Sequence, residues 1–365
     1  MFAPTADAPE QAGFAVKRKV RLDTETASVH QHRVHSLKRK LLSRGVPWII
    51  TVVALYLAFE GVDWATLIAH IREVTPLLIA GALALTVCSY LFRSRRWQHL
   101  FPRPSISFSA SCKVLILGFF MNNILPARAG EFVRAHMGAK VTGETRTLVL
   151  ATIATERLAD GVMLSLFFVA FALGLGDQSM SSGLLYVAYL FAAATASVAL
   201  ILVNRARVFS LADRIHQRVD NRASRYATDR LRIFMEGLSP LYSRHKFPIL
   251  TLWTFVIWSV ELGVYYLIQQ GFNANLSLHG CVLFMVAVNF SSLIPAAPGG
   301  IGVIEWAATA VLTSIGVPRE QALSMVILQH AMQYLVVGIP GAMAMLTWKK
   351  EIPEVEREIE EGSDE

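Results

Sequence analysis

The apolar residues of this chain fall in runs long enough to cross a lipid bilayer, and two further runs stop at clusters of proline and glycine. A spanning helix needs about 17–25 predominantly apolar residues, because it rises ~1.5 Å per residue through ~30 Å of hydrocarbon. Segments 76–92, 147–173, 184–203 and 248–269 meet that need. Segment 320–347 is long enough but carries polar residues, and 46–62 is short and passes with tilt or local thinning. Stretches 110–125 and 279–297 lead into Pro126 to Gly130 and Pro295 to Gly300. Proline removes an amide donor and glycine breaks a helix, so each stretch is expected to end within the membrane.

Composition agrees. Of 365 residues, 54% are hydrophobic and 17% charged, with a mean hydropathy of +0.45, which places the chain in the membrane class. Residues 1–45 are polar and basic, and no cleavage pattern of small residues follows the first apolar run, so no secretory signal is expected. Cys88, Cys112 and Cys281 lie at unrelated positions and form neither a disulfide framework nor a metal spacing. There is no P-loop, GxSxG, HExxH or CxxC motif, so no cofactor, no metal and no ATPase is expected. Gly299-Gly300-Ile301-Gly302 resembles a nucleotide loop only superficially, because it follows a membrane helix and not a strand.

The basic residues decide the topology. If both broken stretches are re-entrant hairpins, segments 1–45, 93–110, 126–146, 204–247 and the C-terminal tail lie on one side and hold 30 of the 34 lysines and arginines. Only Arg72 and Arg319 fall on the other side, while Lys113 and Arg157 lie within apolar segments. The positive-inside rule therefore favours six full spans plus two re-entrant hairpins, eight hydrophobic segments in all, with both termini cytoplasmic in an inner membrane. The charge of +7 is thus accounted for by loops, and no nucleic-acid partner is expected. Residues 1–45 form a basic cytoplasmic tail, and 349–365 form an acidic one. Within 204–247, Val208, Leu211, Ile215 and Val219 give the spacing of an amphipathic surface helix.

The two halves repeat. Pro126, Ala127 and Gly130 match Pro295, Ala296 and Gly299 at an offset of 169. Glu156, Arg157 and Asp160 match Gln329, His330 and Gln333 at 173, the difference being a Gly-Ile-Gly-Val insertion after Gly299. Under the topology above the hairpins enter from opposite faces, so 46–203 and 248–348 form an inverted repeat of an all-α polytopic membrane protein. Arg157 and His330 each lie ten residues into their spans, ~15 Å deep from opposite sides. Inverted repeats with interrupted helices and a midplane site are the pattern of secondary transporters.

Three segments carry a resemblance: Asn122 to Glu131 (NNILPARAGE), Glu156 to Asp160 (ERLAD) and Pro295 to Glu305 (PAAPGGIGVIE). Their combination is similar to the lysylphosphatidylglycerol synthase transmembrane, or flippase-like, family, over about residues 46–348. The resemblance implies lipid translocation or a membrane partner of lipid and sugar-lipid synthesis. In larger members this module precedes a soluble aminoacyl-transferase domain. Only 17 residues follow Trp348 here, so that activity is not carried over.

The candidate site is read from charges placed in apolar surroundings, where they mark pathways or pairs. Glu156 and Asp160 share a helix face, and Arg157 is expected to pair with either. Two readings stand for this trio: Arg157 binds a lipid phosphate, or the trio is a structural ion pair. Arg128, inside the motif, suits a phosphate headgroup, and Glu131 follows it, whereas Arg134 reads as an ordinary cytoplasmic charge. Asn122 and Asn123, like Asn289, Ser291 and Ser292, can cap a broken helix or bind a headgroup. Glu305 reads as an unpaired, protonated carboxyl, Glu261 as a partner for Arg157, and His330 as a packing histidine flanked by Gln329 and Gln333. Pro126, Gly130, Pro295, Pro298, Gly299 and Gly300 are the expected breaks, and alanine at Gly299 and Gly300 is expected to favour helix by ~1 kcal/mol each while the bundle persists.

The function this implies is movement of an anionic phospholipid or lipid-linked headgroup across the inner membrane through a midplane polar cavity. An intramembrane lipid-phosphate transferase, with Glu131 or Glu305 as base, is the first alternative. A scaffold for a membrane lipid or glycosyl transferase partner is the second.

Overall fold

The computed structural model describes residues 47–102, 105–125, 128–174, 222–294 and 298–348, with isolated positions between 193 and 210. The two tails, the expected span 184–203 and the amphipathic positions Val208 to Val219 lie outside the described residues, as do Pro126 and Pro295. Among the described residues every regular element is helical. The helices are α1 (Pro47–Phe59), α2 (Trp64–Arg72), α3 (Pro76–Leu100), α4 (Phe108–Ile124), α5 (Gly130–Thr142), α6 (Arg146–Gly174), α7 (Arg222–Gly237), α8 (Lys246–Gly271), α9 (Leu278–Ser291), α10 (Val303–Ser314) and α11 (Arg319–Thr347). Single 3-10 turns occur at Ser239–Leu241 and Pro298–Gly300.

Among the described residues, α3, α8 and α11 are long and apolar enough to cross a bilayer, and the bent pair α1 and α2 makes a fourth crossing if counted as one. That pair turns by 84° around Gly61, whose φ of 67° is left-handed. The sequence expectation of a single span over 46–62 is therefore corrected to a bent element. The 29-residue α6 carries Glu156, Arg157 and Asp160 at its middle. The apolar α4 and α9 have 17 and 14 residues, ~25 and ~21 Å, each shorter than the ~30 Å of a bilayer's hydrocarbon core. Both open on a serine cap: Ser107 accepts from the Ala110 amide and Ser277 from the Gly280 amide.

Helix order recurs. A long helix, a short apolar one, a short returning one and a 29-residue one appear as α3 to α6 and again as α8 to α11. The contacts recur as well. Helices α3 and α8 pack along each other, α4 packs on α11, and α9 packs on α6, so each short apolar helix leans on the polar long helix of the other half. Between the halves, α7 docks on α6: Gly237 lies against Ala151, and Thr155 donates to the Gly237 carbonyl at 2.9 Å.

Two apolar clusters hold the fold. One contains Trp97, Val114, Met121, Val133 and Ile153, and the other Tyr265, Phe284, Met325, Leu164 and Ala82. Along two helices the charged residues occupy the stretch between them. On α3, Arg93 and Arg96 lie between Ala82 and Trp97, and on α6, Glu156 and Asp160 lie between Ile153 and Leu164; on α8, Glu261 lies between Trp258 and Val264 of the second cluster.

Candidate functional site

The polar layer is an ion-pair network of three arginines and three carboxylates. Arg96 grips Asp160 with two parallel bonds, Nη1 to Oδ1 at 2.6 Å and Nη2 to Oδ2 at 3.0 Å, and reaches Glu156 at 3.6 Å. Arg134 pairs with Glu156 at 2.5 Å and stacks over Trp97 at 4.2 Å. Arg93 pairs with Glu261 at 3.1 Å, lies 3.6 Å from Asp160, and sits over Trp258 at 5.0 Å. Ser89 and Trp258 complete the carboxylates, donating to Glu261 at 2.6 Å and to Asp160 at 3.0 Å. All six charged side chains are buried. Burial of this kind demands complete pairing, since one stranded charge costs several kcal/mol.

Arg157 is not part of that closed network. It pairs with Glu131 at 2.9 Å and lies over Phe119 at 5.4 Å. The expectation that it pairs with Glu156 or Asp160 is corrected because other arginines hold both carboxylates: Arg96 grips Asp160 with two bonds, and Arg134 pairs with Glu156. The expected Arg157–Glu261 pair is corrected too, because Arg93 holds Glu261. Arg134, expected as an ordinary loop charge, is 3% exposed inside α5.

Arg128 sits just before α5 with a left-handed φ of 58°, a conformation costly for any residue but glycine. Its guanidinium lies 3.8 Å from Glu131 and donates to the Ser292 carbonyl at 3.3 Å. Arg128, Glu131 and Arg157 are 34, 28 and 30% exposed, in contrast to the buried network behind them.

On the opposite wall Glu305 and His330 pair at 2.6 Å, which corrects the expectation of an unpartnered carboxyl. The other carboxylate oxygen accepts from the Gly302 amide at 2.6 Å, at the start of α10. His330 Nε2 lies 3.1 Å from the Gly299 carbonyl. A carbonyl only accepts, so Nε2 carries a proton, and the close Nδ1–carboxylate contact needs a second proton between its partners. The pair is neutral as a unit whichever partner holds that proton.

Between the walls lies a cavity of about 230 Å³. The first half lines it with Asn122, Asn123, Arg128, Arg157 and Asp160; the second half lines it with Pro298, Gly299, Gly300, His330 and Gln333. Glu131 and Glu305 stand behind the lining as partners of Arg157 and His330, Glu156 belongs to the buried network, and Gln329 is buried on α11 away from the cavity. The breaks shape the walls. Gly299 and Gly300 have φ of 71° and 75°, and a Cβ at Gly299 would collide with the Tyr334 hydroxyl. A Cβ at Gly130 would strike the Gly118 carbonyl and the Asn122 main chain. Gly299 is therefore required by contact as well as by conformation, Gly130 by contact and Gly300 by conformation, and alanine there costs more than helix propensity alone suggests.

The model of the lysylphosphatidylglycerol synthase TM region matches residues 46–341. The chain belongs to this family. It is 25% identical to a UPF0104 membrane protein of Methanocaldococcus jannaschii over 225 residues, 61% of this chain and 92% of that one. It is 20% identical to a UPF0104 membrane protein of Pyrococcus horikoshii over 327 residues, 82% of this chain and 95% of that one. It is also 25% identical to the glycosyltransferase AglD of Haloferax volcanii over 336 residues, 82% of this chain and 53% of AglD, so the match covers about half of that protein's length.

In this member of the lysylphosphatidylglycerol synthase TM family, sequence reasoning passed over Arg93 and Arg96 as the start of a cytoplasmic loop. A signal was present. No proline or glycine interrupts the chain between Gly81 and Pro102, so the helix was free to continue, and Ser89, Arg93 and Arg96 fall at helical spacing on one face. Tyr90 and Trp258, which also line the cavity, read as ordinary apolar span residues.

Proposed function

We propose that this integral membrane protein carries a lipid with an anionic headgroup between the two leaflets of the inner membrane, passing the headgroup through the cavity between its halves. The observation that supports this reading is the unequal treatment of its arginines. Three are locked into a buried network, while Arg128 and Arg157 share one carboxylate and face a cavity that both halves line. Guanidinium groups in that setting suit a phosphate oxyanion. In this reading the halves 46–203 and 248–348 are an inverted repeat with both termini cytoplasmic. The segments around α4 with α5 and α9 with α10 are re-entrant hairpins that seal the cavity alternately. Transport runs downhill or with a coupled ion. The decisive experiment is a fluorescent-lipid quenching assay on vesicles reconstituted with the purified chain: accelerated loss of inner-leaflet protection supports the reading, and a rate equal to empty vesicles refutes it.

The similarity to a protein named as a glycosyltransferase favours a second reading, in which the chain acts as, or beside, a transferase working on a lipid phosphate. Glu131, 2.9 Å from Arg157, is then the base. Turnover of a lipid phosphate by the purified chain alone would decide for that reading.

A further inference from the structure

Glu131 holds the two guanidiniums that an incoming phosphate would need. Its Oε1 lies 2.9 Å from Arg157 Nε and 3.8 Å from Arg128, so one carboxylate oxygen is shared by the two guanidiniums that face the cavity. The other cationic groups around the site are taken: Arg93, Arg96 and Arg134 are buried against Glu156, Asp160 and Glu261, and the Glu305–His330 pair is neutral as a unit. The site therefore has two cations, one resident anion and one positive charge to spare. Two features let Glu131 leave without great cost. It is 28% exposed, so its carboxylate can be hydrated, and it lies in the first turn of α5, where the amide dipoles favour negative charge. None of the three carboxylates of the buried network has that freedom.

We propose that Glu131 is a resident competitor: it occupies the phosphate position of the empty site, gives way to the phosphate of the lipid, and returns to release it. This rests on the transport reading and adds how the site lets its cargo go. The shared chemistry is a phosphate oxyanion with a net negative charge, carried by a lipid headgroup or free in solution. A carboxylate that merely braced the wall would, on removal, weaken binding and movement together. A competitor behaves otherwise: its removal strengthens binding and slows release.

The test uses the full chain with Glu131→Gln, which keeps the shape and removes the charge, and Glu131→Asp as the conservative variant. Probes are phosphatidylinositol, phosphatidylcholine and inorganic phosphate. Retention is read by native mass spectrometry and transbilayer movement by fluorescence quenching. We expect Glu131→Gln to retain phosphatidylinositol about tenfold more tightly while moving it about tenfold more slowly, phosphatidylcholine to be unaffected, and Glu131→Asp to resemble the parent. Stronger retention of inorganic phosphate as well assigns the effect to the oxyanion alone; its absence, with phosphatidylinositol still retained, assigns it to the lipid headgroup, and both support the proposal. Weaker or unchanged retention of phosphatidylinositol in Glu131→Gln overturns it. Tighter retention combined with no movement by the parent protein keeps the competitor and removes the transport reading instead.

Discussion

Arg128, at the end of the first break, donates from its guanidinium to the main-chain carbonyl of Ser292, 164 residues further on and at the mouth of the second break. The bond joins the two interrupted segments across the cavity. Arg128 is held there at a φ of 58°, so the chain tolerates an unfavourable backbone to place this side chain.

Replacing Arg128 by glycine should therefore separate stability from activity. Glycine relieves a left-handed conformation that costs a side-chain-bearing residue about 1–2 kcal/mol, but it removes the guanidinium. We expect equal or higher thermal stability in detergent, together with loss of anionic-lipid movement in vesicles. A variant that moves lipid at the parental rate would show that Arg128 is not needed at the site.

The two classes of arginine should answer mutation differently. Arg157→Ala removes a partly exposed pair worth about 0.2–1 kcal/mol, so the protein should accumulate normally and lose lipid movement. Arg96→Met leaves the buried Asp160 with only the 3.6 Å contact to Arg93, which Glu261 already shares, a loss of about 3–5 kcal/mol, and should abolish accumulation. Asp160→Asn added to Arg96→Met should restore it, because Arg93 still pairs with Glu261, Arg134 still pairs with Glu156, and the amide oxygen can still accept from Trp258. Membrane yield and melting temperature of the three variants test this directly.

Gly299→Ala should fail for two separable reasons. Its Cβ collides with Tyr334, and its left-handed φ remains costly. Tyr334→Ala in the same chain should recover part of the lost melting temperature by removing the collision. Recovery of all of it would mean that backbone conformation contributes nothing there.

The Glu305–His330 pair gives a graded expectation. Glu305→Ala leaves the Gly302 amide and His330 without their acceptor, a loss of about 1–3 kcal/mol for each unsatisfied group. Glu305→Gln keeps an oxygen for the amide. Melting temperature should fall in the order parent, Gln variant, Ala variant, and a Gln variant as unstable as Ala would show that the charge, not the cap, matters.

Orientation is open to direct chemical test. In a chain lacking Cys88, Cys112 and Cys281, single cysteines replacing Lys140 and Arg225 should react with a membrane-impermeant reagent only from the cytoplasmic side, and one replacing Gln178 only from outside. Labelling of position 225 from outside would defeat the inverted-repeat reading.

Much of the helical layout was legible because apolar runs bounded by charges and glycines are a strong signal. The run 147–173 became Arg146–Gly174, and 248–269 became Lys246–Gly271. The breaks were legible through proline and glycine. Pairing was not. Charge counting treats every arginine beyond an apolar run as a loop residue, so Arg93 and Arg96 were hidden by the rule that located the loops. Their partners Asp160 and Glu261 lie on α6 and α8, and no local spacing announces a contact across 64 or 168 residues. The pairing of Arg157 was hidden in the same way: Asp160, three residues on, lies within its reach on a helix, and only arginines from α3 and α5 take Asp160 and Glu156 away from it.

Those sequence separations also set a timetable for synthesis. Helix α3 enters the membrane with Arg93 and Arg96 before either acidic partner exists. At about 5–20 residues per second, the 168 residues separating Arg93 from Glu261 take roughly 10–30 s to emerge. Asp160 follows Arg96 by 64 residues, about 3–13 s at that rate, so Arg96 gains its partner early and Arg93 gains its own last, in a segment otherwise fit for lipid. The expected consequence is graded anchoring: ribosome stalling just before Glu156 should leave α3 more extractable than stalling just before Glu261, and release of the full chain should fix it in place.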